Sequence, residues 1–534
     1  MKQLFVNGQV FTGTGVMRSA FAEENGKFIA VGSTEEILSL KEENDQVIDL
    51  ANKFVCAGFI DSHMHLVNYG NVMGCCNLME HTTSVADIQQ ALRDFIAAEK
   101  IPAGSWVRGR GWNQDYFVDN HDLPTRAQLD EVSTEHPIGI VRCCGHAMVV
   151  NSKAIEMLGI AADEKIEGGA YSLETGAFFD SAMTLVYARL PQPDRAEIKE
   201  MILRACKGLN ALGVTGSHTD DLCAFENTPW QEVIAAYHEL EAENKLTVRV
   251  YEQSQLTTPE ALREFLAAGY KTGVGSDMFK IGPLKLLGDG SLGARTAYMR
   301  KGYADQPDER GLAIFTQEQF DEMICLAHEN GMQIAIHAIG DGILDRILLS
   351  YEKAFALCPR EDHRSGIVHV QLTRPEQLKK MQRLNLHAYI QSIFLDYDIN
   401  IVEARAGKEL ASTSYAFHTL KQMGLHVSNG TDCPVEMPRA LHGIQCAVTR
   451  CTLSGKGPYR PEEAMDVSEA LLSYTAESAH ASFDENVKGK IQPGMLADFV
   501  VLSDSPFRVP ANKISAIQVE KTFLGGACVY EREA

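Results

Sequence analysis

The chain has 534 residues, 45% of them hydrophobic, and its 71 acidic and 49 basic residues give a net charge of −22. That length can bury a large core, as roughly two to four domains or one barrel with additions, and an acidic balance with no basic stripe excludes a nucleic-acid partner. The longest apolar runs, such as FVCAGFI and LADFVVL, fall far short of the ~20 residues of a membrane-spanning helix. The Met1-Lys2-Gln3 start lacks the apolar segment of a secretory signal, so a cytoplasmic protein with no membrane partner is expected. Thirteen cysteines, including the adjacent pairs Cys75-Cys76 and Cys143-Cys144, lack C-x-x-C spacing. They read as reduced structural or bystander thiols rather than a disulfide framework.

Residues 2 to about 54 read as short strands, QLFVNGQVF, AFAEENGKFIAVG and QVIDLANKFV, with Asn7-Gly8 and Asn25-Gly26 as hairpin turns. From about Ile491 the pattern recurs in GKIQPGMLADFVVLSD and AIQVEKTFLGGACVYE, so the two ends are expected to form one composite β domain. Between them, strand-like and helix-like segments alternate, as in a parallel sheet with crossover helices. Candidate strands are 55–65, 213–218, 247–252, 281–287, 332–337, 365–369, 386–391 and 427–432. Eight strands close a (β/α)8 barrel. The block 71–205 then becomes an insertion after the first strand, expected as a subdomain over the barrel mouth.

A barrel of this kind carries its chemistry where strands end. The first strand ends in the H-x-H pair His63 and His65, whose side chains would share one face and could take two corners of a metal site. With 17 histidines in the chain, chance alone supplies about half such a pair, so the context matters. That context is a rim: Lys285 on strand four, His337 ending strand five, His369 ending strand six, and Asp432 ending strand eight. A pair of divalent ions needs a bridging oxygen, which a carboxylated lysine can supply. Lys285 lies in the apolar run KIGPLKLLGDG, where a neutral, reactive amine is favoured; snorkelling or a pair with Asp289 is the plainer alternative. Asp432 could ligate metal and carry a proton to a leaving nitrogen, or cap a helix before Pro434.

The motifs GFIDSHMHL, LLGDGSLGARTA, IAIHAIGDG, IVHVQL and SNGTDCPVE, in this order, and the closing G-x-I-x-P-G-x-x-A-D stretch resemble the amidohydrolase superfamily, specifically its YtcJ-like (amidohydrolase family 3) group. The similarity extends through the insertion by GRGWNQ, LPTRAQLDEVS and CGHAMVVNSKAIEMLGI. It implies a distorted TIM (β/α)8 barrel, α/β in class, from 55–70 and 206–490, a composite β-sandwich from 1–54 and 491–534, and the insertion 71–205. It also implies a metal-dependent hydrolase of non-peptide, amide-type C–N bonds, with N-formyl and N-acyl substrates among the candidates, in which metal-bound hydroxide attacks the carbonyl. The ligand pattern would place His63 and His65 on a first metal, Lys285 as a carboxylated bridge, His337 and His369 on a second, and Asp432 as ligand and general base. One or two divalent ions are implied, with zinc as first candidate.

Substrate contacts are expected from Trp112, His146, Asn151, His218, Asp289 and Arg295, the last either clamping a carboxylate or pairing with Asp289, with a small molecule as partner and oligomeric state left open, a homo-oligomer included. Two competing classes use the same barrel. A mononuclear deaminase would place an acid three residues after the strand-five histidine, where this chain has Gly340; an esterase or lactonase would use the same nucleophile. A non-enzymatic descendant should have replaced ligand positions, and none of the six is replaced.

Overall fold

The computed structural model describes residues 1–81, 83–119, 121–166, 168–225 and 227–533. Eight parallel strands form one sheet: β1 (Phe59–Met64), β2 (Val214–Thr219), β3 (Arg249–Gln255), β4 (Phe279–Leu287), β5 (Ile334–Ala338), β6 (Gly366–His369), β7 (His387–Ile390) and β8 (Val427–Asn429). Each pairs in parallel with the next in sequence. The sheet nearly closes where β8 returns to β1: the Asp432 N–H donates to His63 O at 2.8 Å and the His65 N–H to Cys433 O at 2.7 Å. Register shifts interrupt the β1–β2 and β3–β4 ladders, and such bulges bend a strand and re-aim its side chains. The distorted α/β barrel expected from the sequence is the one observed.

The expected first strand, 55–65, is two strands. Phe54–Ala57 pairs antiparallel with Phe499–Leu502, and only after Gly58 does the chain enter β1. Gly58 is required there because a Cβ would overlap the Thr215 side chain, while its N–H donates to Asp498 O at 3.0 Å.

Both ends of the chain share a six-stranded sheet, in the order Ala527–Glu531, Val519–Leu524, Phe499–Leu502, Phe54–Ala57, Gln9–Phe11, Met17–Arg18. A second sheet orders Lys27–Gly32, Ala20–Glu24, Gln3–Val6 and Gln46–Asp49. Phe5, Phe21, Phe28, Phe499 and Phe523 form their common core, with Phe5 stacked on Phe21 at 4.8 Å and Phe499 on Phe523 at 4.4 Å. Asn25-Gly26 is a two-residue hairpin turn with φ of 53° and 81°, the left-handed pair that strand twist demands. Asn7-Gly8 is not a hairpin. The strands on either side of it enter different sheets, so the turn crosses between layers because the apolar faces of Phe5 and Val10 must both reach the shared core.

Two compact units result, Met1–Asn68 with Ile198–Ala534, and Tyr69–Glu197. The second has its own mixed sheet of six strands, ordered Gly169–Ser172, Ala177–Asp180, Ala147–Val150, Ile138–Arg142, Val107–Trp112, Cys76–Asn77, and its own core around Leu78, Ile88, Leu92, Trp112 and Ile140. All thirteen cysteines are free. Among the described residues no helix is long and apolar enough to cross a membrane.

Asp498, the last residue of the closing G-x-I-x-P-G-x-x-A-D stretch, is structural. Its carboxylate receives the Arg249 guanidinium through Nε at 2.6 Å and Nη2 at 2.9 Å, and the Gly525 N–H at 2.8 Å. Both partners are buried, so this pair ties the start of β3 to the C-terminal strands. Asp498→Ala leaves Arg249 buried without its counter-charge and should destabilise the protein by about 3–5 kcal/mol, read as a lowered urea midpoint; an unchanged midpoint would show that water takes the place of the carboxylate.

Candidate metal centre

The C-terminal ends of the barrel strands gather the titratable groups. His63 and His369 are buried, as are Lys285, Asp220 and Asp432, while His65 and His337 are half-buried. Asp432 Oδ1 lies 2.9 Å from His65 Nε2 and 3.4 Å from His63 Nε2. His65 Nδ1 meets Asp220 Oδ1. Lys285 Nζ lies 3.3 Å from Asp220 Oδ2, and His369 Nε2 faces His337 Nδ1 at 2.9 Å. Two sets, His63 with His369 and Asp432, and His63 with His65 and Asp220, each bring their ligand atoms within 4.8 Å of one another.

Backbone conformation helps aim these groups. His369 and Asp432 have φ of 77° and 58°, a left-handed conformation that costs a non-glycine residue energy and is held only where surroundings over-determine it. The over-determination at Asp432 is visible in the seam. Asp61 Oδ1 accepts the N–H groups of Thr431 at 3.0 Å and His63 at 3.2 Å, and Asp61 Oδ2 accepts the Thr431 hydroxyl.

Two glutamines define the imidazole tautomers. Gln253 Nε2 donates to Ser62 O at 3.1 Å and its Oε1 faces His63 Nδ1 at 2.7 Å. Gln391 Nε2 donates to Tyr389 O at 3.4 Å and its Oε1 faces His369 Nδ1 at 2.6 Å. With amide nitrogens engaged on carbonyls, the amide oxygens can only accept, so Nδ1 carries the proton and Nε2 presents its lone pair inward. Likewise His337 Nε2 donates to Gly290 O at 3.1 Å, leaving Nδ1 as the lone-pair nitrogen. Two lone-pair nitrogens 2.9 Å apart repel unless a proton or a cation lies between them.

The electrostatics point the same way. Burial, reinforced by Lys285, pushes His63 down, and burial, reinforced by His337, pushes His369 well below its ordinary value, so both stay neutral as metal ligands must. Burial opposes charge on Asp432, but His63 and His65 outweigh it and hold the carboxyl well below the usual range. Burial likewise opposes charge on Asp220, where His65 and Lys285 prevail and lower it to about 2. Lys285 Nζ and both Asp220 oxygens are buried outside hydrogen-bond geometry. Burial opposes charge on His65, but Asp220 and Asp432 outweigh it and raise that imidazole well above its ordinary value, so the carboxylates draw positive charge to this point. Two neutral imidazoles, His63 and His369, with ionised carboxylates beside them are a donor set that fits a divalent cation.

Residues 46–530 match the family described as "Amidohydrolase family". The chain belongs to the amidohydrolase family. It is 30% identical to YtcJ of Bacillus subtilis (strain 168) over 546 residues, covering all of both chains. It is 23% identical to N-substituted formamide deformylase of Arthrobacter pascens over 528 residues, covering 95% of this chain and 94% of that one. Among solved structures, a metal-dependent hydrolase from Pyrococcus furiosus superposes with a TM-score of 0.80 at 26% identity, covering 95% of this chain and 100% of the other.

Within this amidohydrolase barrel, His63, His65, Lys285, His337, His369 and Asp432 come together; of the six residues singled out as substrate contacts, His218, Asp289 and Arg295 belong to the barrel unit and Trp112, His146 and Asn151 to the Tyr69–Glu197 unit. His218 lies one inward-facing position below Asp220, on the ring of Tyr251 at 5.0 Å, and burial lowers it to about 3. Asp289 does not pair with Lys285; its carboxylate accepts the N–H groups of Tyr298, Ile339 and Gly340 at 2.8, 3.1 and 2.8 Å, which shapes the loop after β5. Arg295 pairs with Asp305, through Nη2 at 2.7 Å, not with Asp289. In the Tyr69–Glu197 unit, Trp112 is a core side chain, and Asn151 caps a helix while bonding Ile138 N, Ser133 O and His136 O. His146 is exposed, 3.1 Å from Asp180. The helix-cap alternative for Asp432 also falls, since a turn and not a helix follows it.

Asp220, Asp61, Gln253 and Gln391 were not singled out from sequence. For three of them the signal was a place at a strand end: Asp220 shares the parity of His218 two residues on, Gln253 follows TVRVYE, and Gln391 ends LHAYIQ; Asp61 lies inside β1. Gln253→Leu or Gln391→Leu should weaken metal affinity about 10–100-fold in a chelator competition assay with the fold intact; unchanged affinity would show that neither amide orients its imidazole.

Proposed function

We propose that the protein hydrolyses an amide-type C–N bond of a small molecule, other than a peptide bond, with an N-formyl or N-acyl amine as substrate class. The observation that carries this reading is Asp432: an ionised, buried carboxylate with one oxygen 2.9 and 3.4 Å from two inward imidazole nitrogens. The formamide deformylase activity named for the Arthrobacter relative supports the acyl class.

His63, His65, His337, His369, Asp432 and Asp220 would hold one or two divalent ions, zinc first among them, with Lys285 as a carboxylated bridge. A bound ion supplies Lewis acidity and lowers the pKa of water to about 7. Asp432 Oδ1, placed among the ligand nitrogens, takes the proton of the attacking water and returns it to the departing nitrogen. Gln253 and Gln391 keep Nδ1 of their histidines protonated, so Nε2 is the nitrogen each imidazole would offer to an ion. His337 Nδ1 and His369 Nε2, 2.9 Å apart, would both turn their lone pairs to an ion.

A ring deaminase with an acid three residues after His337 is disfavoured on steric grounds, because a Cβ at Gly340 would overlap Tyr298 O. Ester and lactone cleavage needs the same residues, so esters belong in the same substrate panel as N-substituted formamides.

Asp432→Asn should retain much of its metal yet lower turnover of a formamide substrate by about 100-fold or more; undiminished turnover removes Asp432 from proton transfer. Elemental analysis of protein purified with bicarbonate and no chelator should find about two ions per chain, with fewer in Lys285→Ala. Equal metal content in both proteins would make Lys285 a bystander.

A further inference from the structure

Four cysteines are exposed: Cys143, Cys144, Cys223 and Cys528. Their hydrogen bonds separate them. Cys223 Sγ donates to Gln255 O at 3.0 Å and Cys528 Sγ to Tyr530 O at 3.3 Å, contacts that require the proton to stay on sulfur. Cys144 Sγ instead accepts, from the His146 N–H at 3.5 Å, a contact that favours the thiolate. The adjacent Arg142 adds positive charge, its guanidinium anchored by Gln114 at 2.8 Å, Asn113 at 2.8 Å and Asp115 at 2.8 Å. Burial opposes the thiolate of Cys144, but the His146 N–H and Arg142 outweigh it and hold that thiol below its ordinary value. Burial pushes Cys223 up to about 11 and also raises Cys528. Cys143 is the next residue in the chain, in the same exposed turn.

We propose that Cys144 is a peroxide-reactive thiol and that Cys143 resolves its oxidised form, making the pair a reversible oxidation site. The thiolate sulfur of Cys144 attacks one peroxide oxygen. An S–O bond forms, the O–O bond breaks, and the leaving hydroxide takes up a proton as water, giving a sulfenic acid. The Cys143 sulfur then attacks that of Cys144; an S–S bond forms, the S–O bond breaks, and the hydroxyl leaves with the Cys143 proton as a second water. The two sulfurs together lose two electrons and hydrogen peroxide gains them. Neighbouring Cα atoms lie about 3.8 Å apart, closer than the ~4.4–6.8 Å of ordinary disulfides, so the product is strained and readily reduced by dithiols. Cys75-Cys76, the other adjacent pair, provides a contrast, because Cys76 is buried and raised to about 11.

The test uses the full chain. Wild-type protein is exposed to hydrogen peroxide, alkylated with iodoacetamide and digested, and the peptide containing residues 143 and 144 is weighed with and without dithiothreitol. The expected product lacks two hydrogen atoms, resists alkylation and is restored by dithiothreitol. Cys144→Ser should abolish it, and Cys143→Ser should give a sulfenic acid that dimedone captures at Cys144. Untreated wild type supplies a measurement independent of either variant, with Cys144 alkylated about tenfold faster than Cys223 or Cys528. The proposal is overturned if Cys223 or Cys528 reacts as fast as Cys144, if Cys143→Ser yields no dimedone adduct, or if the wild-type peptide never loses its two hydrogens.

Discussion

The seam between β1 and β8 is the constraint on which the site depends. Closing the barrel brings the His63 carbonyl to the Asp432 N–H at 2.8 Å and the His65 N–H to the Cys433 carbonyl at 2.7 Å. Asp61 pins the same seam through Thr431 and the His63 N–H. The bonds that complete the sheet therefore also set the distance between the H-x-H pair and the carboxylate that works with it. A site built on a seam inherits the rigidity of the sheet, and this is what sustains the left-handed backbone at Asp432.

Beyond the seam, the barrel interior is organised as layers. The upper layer holds the imidazoles, Lys285, Asp220 and Asp432; directly below it, His218 is kept neutral by burial against Tyr251. A neutral histidine below and ionised carboxylates above place negative charge where a cation would bind. The orienting amides of Gln253 and Gln391 come from β3 and the end of β7, so several separate strands contribute to aiming two imidazoles. Such dispersion is the reason a barrel can hold a precise site although no two neighbouring residues of the chain define it.

The two sheets built from the chain ends are bound into the same construction. Phe54–Ala57 runs through Gly58 directly into β1, and Asp498 holds Arg249 at the start of β3. Strand positions at one end of the barrel are thus tied to strands that arrive last in the chain. The long-range phenylalanine core that joins both termini supports this coupling by hydrophobic burial, which is strong but not directional, while the Arg249–Asp498 pair adds direction.

Much was legible in the chain itself. Apolar runs alternating with helical segments specify eight strands, because burial on both faces favours β-branched and aliphatic residues there, and ligand-type side chains at strand ends are readable since a strand end is marked by the residues that stop it. His63, His65, Lys285, His337, His369 and Asp432 could be named on that basis. Partnerships could not. Whether Lys285 faces Asp289 or Asp220, whether Arg295 meets Asp289 or Asp305, and whether Asn7-Gly8 turns a hairpin or crosses between sheets depend on distances between segments far apart in sequence. Local pattern determines what each residue is able to do and which face it occupies. Only closure of the barrel, by hydrogen bonds between its first and last strands, decides which of those residues meet.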